Sequence, residues 1–407
     1  MWLATRAWLV WMLFGPFLWV QGDLLYFDQS LARAGHHGWG HVLVEYPLPG
    51  VVVLAVPWLV AHLAGHASWY FQAFVTMMLL VDASYVVLLR RRAGTWTSPP
   101  VLVWLVALPL FGPTAYARFD LVPGVLLGVS VLLLVTRPRV AALAAGLATG
   151  VKLWPALVLP ALAARTRERR AVVTTVALVG ALLVSAGIAL SGWSRLLSPL
   201  LWQQHRGLQI ESVPATPSML AWSLARHGLA VAPSRFNALE VSGPGVSTAL
   251  TVVSLAGVVL LLAVAALSWR AWRTGPHLEV ETVAWVCLAA VSGFVVTSKV
   301  FSPQYLLWLL PVATAALASG RARRGPLLRW TILLVLVCAL TQMVFPLLYP
   351  SLIDHDQASF RSAVLLAVRN ALTVLLTLLA WREAWRRTRP RPRARRAMHL
   401  RRVGQGW

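Results

Sequence analysis

Three carboxylates stand close together just past the apolar N-terminal run: Asp23, Asp28 and Glu45. Each is of a type that can take a proton from an attacking hydroxyl. Further along, isolated cations recur beside polar residues, in Arg118-Phe119-Asp120, in Lys152-Leu153-Trp154-Pro155, in Arg206-Gly207-Leu208-Gln209-Ile210-Glu211-Ser212 and in Lys299-Val300-Phe301-Ser302-Pro303-Gln304-Tyr305. Fixed cations in apolar surroundings suit a phosphate on which negative charge grows during a reaction. A base together with such cations describes transfer of a group carried on phosphate. No glycine-rich phosphate loop or nucleotide motif accompanies them.

The elements that hold these residues are set by composition. The chain has 407 residues, of which 58% are of the apolar set and 12% charged, with a mean hydropathy of +0.70. A water-soluble fold of that length needs far more polar surface, so the composition excludes a soluble enzyme and a disordered chain. It predicts an all-α polytopic membrane protein. The net charge of +23 is not a nucleic-acid signal, because the basic residues, nearly all arginine, cluster between apolar runs. Cys287 and Cys338 both lie in apolar runs, which leaves no disulfide framework.

Apolar runs long enough to cross the bilayer fall at 2–20, 69–89, 99–117, 121–136, 171–191, 246–269, 282–298, 304–319, 326–349 and 361–381, with shorter ones at 140–151 and 154–164. The run 46–64 is interrupted by Pro47, Pro49 and Pro57. If it spanned, Arg90–Arg92 would lie outside and the later arginine clusters would invert. It is therefore read as interfacial or re-entrant, with 140–151 and 154–164 crossing as half-helices. This predicts about twelve spans with both termini cytoplasmic. The expected organisation is one transmembrane catalytic domain over 1–381, outer loops at 21–68 and 192–245, and a basic cytoplasmic tail over 382–407. Arg6 is assigned to the inner face, and Asp82, Lys152 and Arg369 to membrane depth.

Most histidines, including His36, His37, His41, His62, His66, His205, His227 and His355, fall outside in this topology. Chemistry is therefore expected at the exterior, where nucleotide donors are absent and activated substrates must arrive on lipid carriers. Residues 23–34 read as a surface helix with Asp23 as N-cap, Gly35 past its end and Leu24, Phe27 and Leu31 on one face. Asp23 and Asp28 then point about 140° apart and form no local dyad.

Plainer readings stand beside these. Arg118 and Asp120 suit a local ion pair in a turn, Lys152 suits a snorkelling lysine, and Lys299 suits an interface anchor. Asp82 is expected to hydrogen-bond within the bundle. His36, His37 and His41 are poorly spaced for a metal. No cofactor is expected, with a divalent metal left open.

The order and wording of these motifs resemble glycosyltransferase family 87, within the membrane-embedded GT-C superfamily. The resemblance rests on Asp23 and Tyr26, Glu45-Tyr46-Pro47, Arg118-x-Asp120, Lys152-x-x-Pro155, Arg206-Gly-x-Gln209-x-Glu211-Ser212 and Lys299-x-Phe-Ser-Pro-Gln304-Tyr305-Leu-x-Trp308, over roughly residues 20–310. It implies transfer of a hexose, mannose above all, from a polyprenyl-phosphate carrier to a glycolipid or polysaccharide acceptor. The reaction would be an inverting single displacement at the outer face of an actinobacterial plasma membrane. Asp23 is then the base, with Asp28 and Glu45 in reserve because the first loop has no adjacent or one-apart acidic pair. Lys152, Arg118, Arg206 and Lys299 would hold the donor phosphate. Tyr46, Asp120, Gln209, Glu211, Gln304 and Tyr305 would contact substrate. The competing class is a lipid or lipid-linked-sugar flippase, which usually shows repeated interruptions in both halves; this sequence shows none.

Overall fold

The computed structural model describes residues 1–34, 38–165, 167–225, 228–275, 278–319, 324–354 and 359–389. Helix α1 (Trp2–Phe14) stops at Gly15-Pro16, and the chain bends by 85° through a short 3-10 turn into α2 (Gly22–Ala32). Asp23 sits in the first turn of α2 rather than at its cap, which is Gln21. The buried face of α2 carries Leu24, Phe27 and Leu31, the stripe its spacing predicts. Gly35, His36 and His37 lie outside the described residues.

Helix α3 (Leu48–Leu63) follows, then α4 (Tyr70–Ala93), α5 (Pro99–Phe111), α6 (Leu121–Leu133) and α7 (Pro138–Val151). After α7 come an extended Lys152, a 3-10 segment at Trp154–Val158 and one α-turn at Leu159–Leu162. Helix α8 (Arg169–Gln204) is broken at Gly192, whose φ of 76° and ψ of 174° are not helical. The chain then forms β1 (Leu208–Gln209), α9 (Thr216–Ser223), β2 (Ala230–Ser234) and β3 (Ala238–Ser242). It closes with α10 (Val246–Thr274), α11 (Val280–Val296), a 3-10 segment at Pro303–Trp308, α12 (Leu310–Ser319), α13 (Arg324–Gln342) and α14 (Ser359–Arg387).

Helices α11 and α12 are buried on nearly every face and form the centre of the bundle. Helix α6 packs on α12, where Gly124 and Gly128 bring its backbone against Leu307 and Pro311. A side chain at Gly124 would run into the Leu307 carbonyl oxygen. Helices α8 and α10 are the opposite case. They expose Leu178, Leu182, Leu190, Leu255 and Leu262, and such apolar surface belongs against lipid tails.

The structure departs from the sequence reading in four places. First, among the described residues five helices are long and apolar enough to cross a membrane, or six with the bent α1–α2 pair, so length and composition there do not reach twelve spans. Helices α3, α5, α6, α7 and α11 have 13 to 17 residues, and at ~1.5 Å per residue they are shorter than a ~30 Å hydrocarbon layer. Second, 154–162 is not a crossing half-helix, because Pro155 and Pro160 confine it to a 3-10 segment and one α-turn. Third, 46–64 is a continuous helix from Leu48: Pro49 sits in its first turn, where no N–H is needed, and Pro57 is accommodated inside. Fourth, the fold is not purely helical. Strands β1, β3 and β2 form a small antiparallel sheet, with Leu208 opposite Val241 and Ser234 opposite Ala238.

Arg6 does not lie in water at the inner face. It is 2% exposed and pairs with the fully buried Asp82 through Nε at 2.7 Å and Nη2 at 3.2 Å. Trp104 Nε1 (2.6 Å) and Tyr116 Oη (2.7 Å) also donate to that carboxylate. Asp82 thus fastens α1, α4, α5 and the turn after α5 together, the bundle role expected of it. Replacing Asp82 with leucine would strand the guanidinium and two further donors. The expected loss is ~3–5 kcal/mol, read as a lower melting temperature in detergent, with a smaller loss for Asp82→Asn.

Candidate functional site

The break after α7 aims a lysine inward. With Lys152 extended (φ −143°, ψ 143°), its ammonium donates to Asp120 Oδ1 at 2.6 Å, and Trp308 Nε1 donates to the same oxygen at 2.7 Å. The ammonium lies 4.7 Å from the centre of the Phe119 ring, 5.6 Å from Trp308 and 5.8 Å from Tyr46. Such ring faces attract a cation. Trp308 is stacked between Trp154 (4.7 Å) and Tyr305 (4.0 Å). Arg118 and Asp120 do not form the local pair their spacing suggested. Asp120 is taken by Lys152, and Arg118 reaches back to α2.

There Arg118 Nε pairs with Asp23 Oδ2 at 2.8 Å, while its Nη1 donates to the carbonyls of Val20 and Ala117. The second Asp23 oxygen accepts from Asn237 Nδ2 at 3.0 Å. Nearby, Tyr26 Oη donates to Glu45 Oε1 at 2.7 Å. Arg195, on the outer part of α8, donates to the carbonyls of Val42, Leu43 and Tyr46 and so holds the turn that carries Glu45. Burial pushes the Glu45 carboxyl above its ordinary range, against the opposing effect of the Tyr26 hydrogen bond. Burial and the Glu45 charge raise Tyr26.

Asp23, Tyr26, Glu45, Tyr46 and Lys152 share one cavity of about 680 Å³. Arg206, Lys299, Gln304 and Tyr305 line it too, although they lie far from the first group in sequence. Lys299 donates to the Gln204 carbonyl at 3.0 Å, and burial together with the Arg206 charge lowers its basicity. Two buried lining donors, Trp154 Nε1 and Arg206 Nε, lack a partner among the described residues and can meet ligand oxygens. The rest of the wall is apolar: Leu200 of α8, Val253, Leu260 and Leu261 of α10, and Phe294 of α11. The cavity is lined by α8 and α10, the two least buried of the long apolar helices among the described residues.

Other expected site residues stand behind the cavity. Gln209 accepts from the backbone N–H of Phe301 at 2.8 Å, and Glu211 takes the Arg369 guanidinium at 3.0 Å with both side chains buried. Burial pushes Glu211 up to about 7, partly offset by the Arg369 charge. Asp28 is raised by burial and faces His62. Arg118 and Asp120 act through Asp23 and Lys152. Among the described residues no cluster of three His, Cys, Asp or Glu side chains is placed to hold a metal. His227 and His355 lie outside those residues. Asn237, Arg235 and Arg195 were missed. The first two stand in a Gly/Pro-rich stretch with no periodicity, and the only signal for Arg195 was a lone arginine within an apolar helix.

Long apolar helices around a cavity lined by both carboxylates and cations define a multi-pass membrane protein with an enzyme-like site. The family model for glycosyltransferase family 87 matches residues 44–241, the stretch that carries Glu45, Lys152, Arg206 and the β2–β3 hairpin. Over that stretch, just under half of the chain, the protein is similar to glycosyltransferase family 87. No curated protein and no solved structure matches it.

The raised Glu211 carboxyl has a consequence for stability. A carboxyl whose folded pKa exceeds its unfolded one costs stability as pH rises from the unfolded to the folded value. Here that window runs from the ordinary 4.5 to about 7. Glu211→Gln is expected to flatten this stretch of a melting-temperature curve recorded against pH.

Proposed function

We propose that the protein moves a hexose, mannose, from a polyprenyl-phosphate carrier to a lipid-linked or polysaccharide acceptor at the outer face of a bacterial plasma membrane, with both termini cytoplasmic. The observation that carries this reading is one cavity holding the Asp23 carboxylate and the cations Lys152, Arg206 and Lys299, beside apolar walls from α8 and α10.

The acceptor hydroxyl attacks the anomeric carbon as its proton passes to Asp23. The bond from that carbon to the phosphate oxygen breaks, and polyprenyl phosphate leaves with the electron pair. Attack opposite the leaving group inverts the anomeric centre, so a β-linked donor yields an α-glycoside. Arg118 fixes the Asp23 carboxylate. Lys152, Arg206 and Lys299 stabilise charge on the departing phosphate, and Trp154 Nε1 and Arg206 Nε offer further hydrogen bonds. Tyr46, Gln304 and Tyr305 face the sugar. The apolar walls take the isoprenoid tail and limit water, which would otherwise capture the sugar. Glu45 is the second carboxylate of the cavity, and Asp28 lies outside its lining.

Proteoliposomes supplied with polyprenyl-phosphate [¹⁴C]mannose and membrane glycolipid acceptor test the proposal. Wild type should transfer label. Asp23→Asn should lose about 10²–10⁴-fold in rate, and Lys152→Met about 10²–10³-fold. Equal transfer by Asp23→Asn would remove that residue from the mechanism. Movement of the labelled lipid across the bilayer without glycoside formation would overturn the transferase reading in favour of a flippase.

A further inference from the structure

The hairpin of β2 and β3 ends in Arg235-Phe236-Asn237, and this tip reaches across the cavity. On one side the Phe236 ring meets Trp202 of α8 edge-on at 5.3 Å. On the other, Asn237 Nδ2 donates to Asp23 of α2 at 3.0 Å. The tip is therefore a strap between two walls that have no connection there in sequence.

The strap is held from behind. Ser234 Oγ accepts from the Phe236 N–H at 3.3 Å and donates to the Ala238 carbonyl at 3.0 Å. Glu240 on β3 accepts from the Gly207 N–H at 3.0 Å, and the Gln209 N–H donates to the Lys299 carbonyl at 3.0 Å. The guanidinium carbons of Arg235 and Arg206 lie 4.9 and 5.7 Å from the centre of the Phe236 ring. Asn237 has a φ of 51°. A three-residue hairpin loop ends in that left-handed conformation, and asparagine tolerates it better than most residues. The loop thus selects a backbone that delivers the amide to the carboxylate.

We infer that Asn237 is a positioning residue for Asp23, carried across the cavity on the β2–β3 strap. Arg118 holds one carboxylate oxygen and Asn237 the other, so the plane of the carboxylate is fixed from both sides. A neutral amide adds orientation without a second positive charge. A base must meet the hydroxyl in a narrow geometry, and small misplacements are costly in rate. This role rests on Asp23 being the base.

The test uses full-length protein in proteoliposomes with polyprenyl-phosphate mannose. Asn237→Gly keeps the turn and removes the amide. Its expected result is a roughly tenfold lower kcat with an unchanged donor KM and melting temperature. Asn237→Asp, which cannot donate when ionised, should fall further. If Asp23→Asn is inactive while Asn237→Gly keeps wild-type kcat, the role of Asn237 is overturned and the base stands. A loss confined to donor KM would make the amide a substrate contact and equally overturn the role. Full transfer by Asp23→Asn would overturn the base and this inference with it.

Discussion

The site depends on one buried charge pair. A lysine inside an apolar bundle is costly unless a carboxylate and further polar contacts meet it. Lys152 meets Asp120 at 2.6 Å within a ring of Phe119, Trp308 and Tyr46. That requirement brings together three segments distant in sequence: the end of α7, the turn before α6 and the 3-10 segment before α12. It also accounts for the broken backbone at 152–158. Unpaired backbone groups at membrane depth are tolerated where they line a cavity, and Lys152, Leu153 and Trp154 do so.

The two carboxylates of the cavity have different surroundings. Asp23 is partly exposed and gripped by two donors from different elements, Arg118 and Asn237. Glu45 is more deeply buried and accepts a hydrogen bond from the Tyr26 hydroxyl, on a turn that Arg195 secures. The first arrangement fixes orientation while leaving access; the second favours the protonated form.

Two further buried pairs hold the frame around that centre. Arg6 and Asp82 fasten the N-terminal helix to α4 and α5, which fixes the entry into α2. Glu211 and Arg369 fasten the segment after β1 to α14, with the Arg369 guanidinium 4.1 Å from the centre of the Phe301 ring. Helices α8 and α10 take little part in this network and present apolar surface.

The membrane class, the amphipathic face of α2, the break at Lys152 and the bundle role of Asp82 were all readable from the chain, because each depends on local pattern: apolar runs, helical spacing, or a lone charge among apolar neighbours. So were most of the charged lining residues, including Asp23, Glu45, Arg206 and Lys299. Partners were a different matter. Arg118 and Asp120 are two residues apart yet turn to opposite carriers, Asp23 on α2 and Lys152 after α7. Arg6 read as a cytoplasmic charge because its counter-ion stands on another helix. Asn237 gave no sign at all, since a short hairpin in a Gly/Pro-rich loop has no periodicity. A side chain's type and local period are written in its neighbours along the chain, whereas its hydrogen-bond partner is chosen by packing among elements far apart in sequence, and only the folded bundle brings those together.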